Sequence, residues 1–529
     1  MTRGMRSLSV ALIGLLLAAA CVPSGGGVAS APASVTLADV QELTVASAAD
    51  GYRNDAKRTT IGMYPLNANI FDTLVTLSAD YQVEPGLATK WEFRAPNTYR
   101  FTLRSGVKFH DGTPLTSKDV VWSLQRIAQQ GGGTVGVNAT SAVAVDDLTV
   151  DITPKNTNLR AIQQLVHPTW SIAKADSDAA KPMGTGPFKF VEYVKDQRMV
   201  VAANDEYWGG KPTLRKITFR FLPDANTRVL ALQAGEVQIS DIPKESAKTI
   251  TGDFSVVRSK VGAYEAIYIN IRGKQGYDLG KDKAIRQAVA YAIDKKVVVD
   301  SVWQGNAEIS QTMIPAGILG PEASRISGTN RDVAKAKQIL DAAGWKPGSD
   351  GIREKNGRKL QLTMVVGFPN ADTHKPMPEF AQSQLKDVGI DAKIVITPDT
   401  ASYEKRLATG EGDLWVEAGS QNDANPCFLP DLLFSSPDPK GDEESNMYGN
   451  AFAIGAAFDA SIKRCREATA TADVQKAAAD AMKLLVDDEN IVIPLAGTYR
   501  ISGISNKVIG LVVHQAGVHQ RWNSVKLAK

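Results

Sequence analysis

The chain has 529 residues, and its 60 Lys and Arg nearly balance 57 Asp and Glu, for a formal charge of +3. That balance leaves no electrostatic footprint for nucleic acid. With 43% hydrophobic residues, a chain of this length can bury large cores in two or three domains.

The first elements are not part of the fold. Arg3 and Arg6 make a basic start, Leu8 to Ala20 an apolar stretch, and Ala18-Ala19-Ala20 a small-residue cleavage site, so residues 1–20 read as a signal peptide. The stretch is too short to span a bilayer. Its removal takes two Arg and no acid, which lowers the charge from +3 to +1. Cys21 follows at once, and the arrangement resembles a bacterial lipoprotein signal in which Cys21 becomes the lipidated first residue. The usual Leu three places before the Cys is Ala18 here, with Leu17 one place early. Lipidation and plain secretory cleavage are therefore both open. Pro23-Ser24-Gly25-Gly26-Gly27 and the neighbouring Ala and Ser residues cannot bury an apolar face, so residues 21–41 are expected to be a flexible, lipid-anchored tether. No later segment has the length and apolarity of a transmembrane helix.

Glu42 to Ala46 (ELTVA) predicts a first strand. The run from Phe71 to Leu124 predicts a β-turn-β-turn-α unit. Tyr99, Phe101 and Leu103 alternate with polar residues, Ser105-Gly106 turns the chain, and Val107-Lys108-Phe109 resumes it. His110-Asp111-Gly112-Thr113-Pro114 is dense turn chemistry, and Thr116 with Asp119 three residues on is placed to cap a helix. His110 and Asp111 read as a turn residue and a loop cap rather than a catalytic pair. Alternation returns at Ala142 to Ile152 and at Ile217 to Phe221, and Asp224 caps a helix stopped by Gly235. Gly184-Thr185-Gly186-Pro187-Phe188 is a weak phosphate cradle, because no third Gly follows and Pro187 lacks an N–H. Tyr268 to Asn270 ends a strand, and Lys283 to Val299 predicts one amphipathic helix. Ala334 to Gly344 is a further helix. Leu360 to Val365 and Asp391 to Ile396 are strands flanking a helix, a βαβ unit. A late helix, Val474 to Leu485, precedes the buried strand Ile491 to Leu495.

As words, FDTLV, the Pro-x-Leu-Ala-x-x-Trp of residues 85–91, LRSGVKFHDGTPLTSKDV, GTGPF, NDEYWGGKP, DANTR, ALQAGEV and IRQAVAYAIDKK occur here in order. Together they resemble the extracellular solute-binding proteins, family 5, the dipeptide and oligopeptide binders of ABC importers, over almost the whole mature chain. The resemblance implies an α/β, bilobed periplasmic-binding-protein-like fold of type II, in the large three-part variant with an inserted β-rich subdomain. Lobe I is expected over 42–265 plus 495–529, with the insertion at about 69–183, and lobe II over 266–494.

Chemistry for catalysis is missing from the sequence. There is no G-x-S-x-G elbow, H-E-x-x-H helix, P-loop or C-x-x-C pair, and the five His residues are scattered. His514 and His519 are off the spacing of one helix face and read as surface or packing residues. No enzyme activity, no cofactor and no metal are expected. A binder needs instead a cleft with a few placed polar groups, and lobes joined by a few strands can hinge shut around a ligand.

The segment Gly412 to Phe428 (GDLWVEAGSQNDANPCF) resembles the family's D-x-x-D-P loop, whose first Asp pairs with a peptide's α-ammonium. Aligning Pro426 puts Asn422 at that position, Gly419 where a Trp often stands, and Asn425 at the second acid. Asn422 supplies an amide in place of a carboxylate, so its donors suit a carbonyl or hydroxyl as well as its acceptor suits an amine. Asn422 and Asp423 head the ligand-binding candidates, with Trp415, Tyr52 and Tyr64 as further cleft residues; core packing is the alternative for each aromatic. Trp208 reads as a structural aromatic. Of three cysteines, Cys427 and Cys465 remain once Cys21 is set aside, either as a disulfide contributing roughly 2–4 kcal/mol or as two separate thiols.

The expected partners are an ABC permease with its ATPase subunits, a peptide or other small-molecule ligand, and the membrane through the lipid anchor only; the chain is expected to be a monomer in the periplasm or on the cell surface. A non-peptide cargo (opine, sugar or metal chelate) is the alternative within this role. A secreted hydrolase or a sensor on the same scaffold is the alternative outside it.

Overall fold

The computed structural model describes residues 35–48, 68–129, 139–154, 159–177, 181–273, 276–367, 376–436 and 452–529. Among them an eleven-stranded mixed sheet runs through the molecule. Its first strand, β1 (Glu42–Ser47), buries Leu43, Val45 and Ala46.

The stretch that follows forms a separate antiparallel sheet from β2 (Ala88–Arg94), β3 (Thr98–Leu103), β4 (Ala139–Asp146) and β5 (Thr149–Pro154), in the order β2-β3-β5-β4. Tyr99, Phe101 and Leu103 point into its core with Val150 and Ile152, while Arg100 on the opposite face holds Asp151 through two bonds of 2.6 Å. Helix α1 (Ser117–Gln129) adds Val120, Leu124 and Ile127 to this core. It starts where the capping reading placed it: Asp119 accepts from the Thr116 backbone N–H and hydroxyl, both at 2.9 Å. The strand expected at Val107 to Phe109 is reduced to a single bridge between Lys108 and Pro114.

The main sheet continues with β6 (Phe188–Val194), β7 (Arg198–Ala203) and β8 (Lys216–Phe221), with β8 parallel to β1. Helix α2 (Ala225–Gln233) is capped by Asp224 and leads to the short β9 (Ile239–Asp241). Gly184 and Gly186 explain the GTG run without a phosphate. A Cβ on Gly184 would lie 2.0 Å from the Ile70 carbonyl oxygen, so the backbones touch there. Gly184→Ala is expected to cost about 1–3 kcal/mol by overpacking, measured as a lower urea midpoint at unchanged m-value.

Two long strands tie the sheet together: β10 (Phe254–Ile269, 16 residues) and, near the C-terminus, a 14-residue strand over Val492–Ser505. Between them come α3 (Lys283–Ala292), α4 (Val333–Ala342), β11 (Gln361–Val366), α5 (Pro376–Asp387), β12 (Asp391–Ile396), β13 (Leu414–Ser420), α6 (Phe428–Phe434), α7 (Ala456–Glu467) and α8 (Thr471–Lys483). The C-terminal long strand is β14. The βαβ reading holds, with β11 parallel to β12 around α5. The single helix expected from Lys283 to Val299 does not form: Ile293 is extended, and Asp294 caps a new start by accepting from the N–H groups of Lys296 and Val297. The Asp294 carboxylate, by capping the turn that starts at Lys295, competes with continuation of the first helix, and the Asp294 N–H is taken by Gln384 at 2.7 Å.

Ten strands follow the order β12-β11-β13-β10-β14-β9-β1-β8-β7-β6, and the eleventh, Ala307–Ile309, pairs with β14 off this path. β13 pairs only with the C-terminal half of β10, and β9 only with the C-terminal end of β14. The crossing strands thus belong to both halves, and their mutual register shifts between Arg258 and Val261 and again before Ala263. Such bulges bend a strand pair. The tail returns to the first half, where Arg521 donates to Asp72 at 2.9 Å and Asn69 bonds the backbone of Gln520 and Trp522. Among the described residues no helix is long and apolar enough to cross a membrane.

Candidate functional site

β13 follows β10 from Leu414 to Ser420, whereas β11 accompanies it in parallel only from Leu414 to Val416. From Glu417 onward the chain runs past the carboxyl end of β11, the side of an α/β sheet on which ligands settle. Alternation sends Leu414 and Val416 into one core, and Trp415, Glu417 and Gly419 toward the opposite face. Across the strand, Tyr268, Ala266 and Tyr264 stand opposite these three. The hydroxyls of Tyr264 and Tyr268 meet at 2.7 Å. Gly419 leaves room for the Tyr264 ring, whose hydroxyl would lie 2.6 Å from a Cβ there.

The loop after β13 is built by short polar bonds. Asp423 Oδ1 accepts from Gln421 Nε2 at 2.7 Å and from the Asn425 N–H at 3.0 Å, and Asn425 Oδ1 accepts from the Cys427 N–H at 3.0 Å. Both residues are almost fully buried, so they shape the loop. Asn422 is half-buried. The other half of the molecule reaches this loop twice. Tyr81 donates its hydroxyl to the Gln421 carbonyl at 3.2 Å, and His519 Nε2 lies 2.8 Å from the Asn422 carbonyl. A carbonyl only accepts, so His519 carries its proton on Nε2. Burial, reinforced by Asp423, pushes the Tyr81 phenol up, which keeps it a donor.

His519 does not stand alone. Its ring centroid is 5.2 Å from that of His514 and 6.4 Å from that of His167. All three are buried, so the packing alternative holds for them and the surface one does not; their clustering was not foreseen. Burial pushes His167 down to about 4 and lowers the other two, so the group is neutral near neutral pH. A cavity of about 410 Å³ opens beside them, lined by Asp72, Tyr207, Trp208, His514, His519 and Arg521. Trp208 spans structure and site: its Nε1 donates to Asp72 at 2.9 Å while Arg104 lies over its ring at 4.4 Å. Another cavity, of about 360 Å³, lies against the crossing strands between Tyr81, Lys260, Pro315 and Tyr499.

The sequence candidates divide as follows. Asn422 and Asp423 lie on the loop that both halves touch. Trp415 is fully buried, its ring edge-on to Tyr403 at 5.5 Å and to Phe452 at 6.1 Å. Cys427 and Cys465 come together, with Cα atoms 6.4 Å apart, inside the range a disulfide requires. Tyr52, Tyr64 and Cys21 lie outside the described residues. Glu417, Tyr264, Tyr81 and the histidine group were missed. Alternation from Trp415 would have placed Glu417 on its face; no local signal marks the others, which meet through tertiary contact.

The family model for bacterial extracellular solute-binding proteins, family 5, matches residues 82–441. The chain belongs to family 5. The matched span contains the antiparallel insert, β10 and β13 with its loop, the parts that build the site. One relative, Protein XP55 of Streptomyces lividans, is 30% identical over 504 residues, 89% of this chain and 87% of its own. The oligopeptide-binding protein AppA of Bacillus subtilis is 31% identical over 330 residues, 58% of this chain and 60% of that protein. Among solved structures, an ABC transporter substrate-binding protein from Sinorhizobium meliloti superposes with a TM-score of 0.75 at 27% identity, covering 92% of this chain and 100% of that one. Family 5 proteins are the binding components of ABC importers, outside the cytoplasm, and the bilobed α/β fold described above is theirs.

Proposed function

We propose that this chain captures a peptide or a polar solute of similar size between two lobes and delivers it to an ABC permease, while a lipid on Cys21 holds it at the membrane. The lobes are 42–265 with 495–529, and 266–494. The observation that supports this best is the pair of bulged strands, β10 and β14, which join the halves while side chains from one half, Tyr81 and His519, bond the loop of the other at Gln421 and Asn422. Strands of this kind permit hinge closure, and a ligand touching both lobes favours the closed state. No step requires catalysis; the driving energy comes from a partner ATPase. The peptide assignment draws on AppA, named for oligopeptide binding.

Mass spectrometry of the solute carried through native purification, followed by calorimetry with the recovered compound, tests this. Di- to pentapeptides are the expected finding, and a sugar or an opine would end the peptide assignment while leaving transport in place. Asn422→Asp probes the loop directly. If an ammonium group sits there, affinity should hold or tighten by up to about tenfold. Marked weakening would mean that the amide donor is needed.

A further inference from the structure

Among the described residues, buried polar side-chain atoms without a hydrogen-bond partner concentrate along β13 and its loop: Trp415 Nε1, Glu417 Oε1, Gln421 Oε1 and Asn425 Nδ2, with the Tyr403 hydroxyl against Trp415. Buried polar atoms are nearly always satisfied, so a local run of orphans asks for a cause. Glu417 is the costly member. An unpaired carboxylate out of water is far more expensive than an unpaired amide. Of the buried acids nearby, Asp423 accepts from Gln421 and the Asn425 N–H, and Asp431 is held by Arg466 with bonds of 2.6 and 2.9 Å, whereas no described cation approaches Glu417, whose Oε1 is buried. Burial alone pushes its carboxyl up to about 8.

Its place in the fold shows what would meet it. Glu417 is the first residue of β13 beyond the last parallel rung with β11. Ala266 stands across the strand from it, and Tyr264 and Tyr268 are its diagonal neighbours. A carboxyl group with no cation beside it among the described residues is a receptor for a positive charge, because a charge-assisted hydrogen bond would satisfy it. The same face leads through Gly419 to the Asn422 loop.

We propose that Glu417 is a specificity-determining residue that pairs with a cationic group of the transported solute, a primary ammonium or a guanidinium. This rests on the assignment of the chain as a solute receptor. It goes further in naming the charge of the cargo and the residue that selects it, five positions before Asn422, the position that loop alignment singles out.

The test uses the mature full-length chain, wild type and Glu417→Gln, with thermal melting to establish that both fold. Calorimetry is run with tri-, tetra- and pentaalanine, with their N-acetylated forms, and with putrescine, spermidine and agmatine. The expected result is that amine-bearing solutes bind wild type and lose about 10- to 100-fold in affinity on Glu417→Gln, while acetylated peptides bind poorly to both. A structural role would weaken free and acetylated peptides alike, and that outcome overturns the proposal. Peptides that bind both proteins equally, acetylated or free, overturn it too, with peptide transport left standing. If only the polyamines or agmatine bind, through Glu417, the inference holds and the peptide assignment falls. Failure of every cationic solute to bind overturns it.

Discussion

Asp72→Ala is expected to lower folding stability by about 3 kcal/mol or more, the low end of the range for breaking a buried ion pair. Asp72 is 1% exposed and accepts from four partners: Thr185 Oγ1 and Trp208 Nε1 at 2.9 Å, Arg521 at 2.9 Å and the Tyr207 hydroxyl at 3.3 Å. Those partners come from three distant parts of the chain, so one carboxylate fastens the C-terminal tail to the first segment. Its removal strands the Arg521 guanidinium beside two unsatisfied aromatic donors. Arg521 keeps 27% side-chain exposure, and water reaching it holds the loss toward the low end. Urea unfolding of Asp72→Ala, Arg521→Ala and the double variant measures this. Coupling near zero between the two sites would show that the pair contributes nothing of its own.

Reduction of a Cys427–Cys465 bond is expected to cost roughly 2–4 kcal/mol, because the bond closes a loop across a sequence separation of 38. Both residues are 2% exposed, and the pair links the start of α6 to α7. Asp431 and Arg466 connect the same helices about one turn further on. That neighbouring ion pair should keep α6 docked when the sulfurs are reduced, so the loss is expected in global unfolding rather than as local fraying. Thiol labelling of the unfolded chain counts free sulfhydryls, and denaturation with and without reductant reads the energy. A reductant effect that survives in Cys427→Ser/Cys465→Ser would exclude this bond as its source.

Local chemistry was legible where local rules decide. Tyr99, Phe101 and Leu103 alternate because one face of the strand meets a core, and Thr116 with Asp119 starts α1 because both caps lie within four residues. The helix from Lys283 was misjudged because its apolar spacing continues past Asp294, while the break depends on Gln384 from another helix. Asn422 was recognisable from its loop. The bonds that make the loop a meeting point were not, since Tyr81 lies 340 residues from Gln421 and His519 lies 97 from Asn422.

By itself the sequence determined most of the strands and helices and the solute-binding family, because these follow from periodicity, turn residues or an ordered run of motifs. Tertiary structure alone decided which side chains share the site. It buried Trp415 in the core, brought His167 to the tail pair His514 and His519, and left Glu417 Oε1 without a partner among the described residues at the end of β11. The physical reason is that burial and pairing are properties of packed surfaces: whether a carboxylate is satisfied depends on what other segments bring to it.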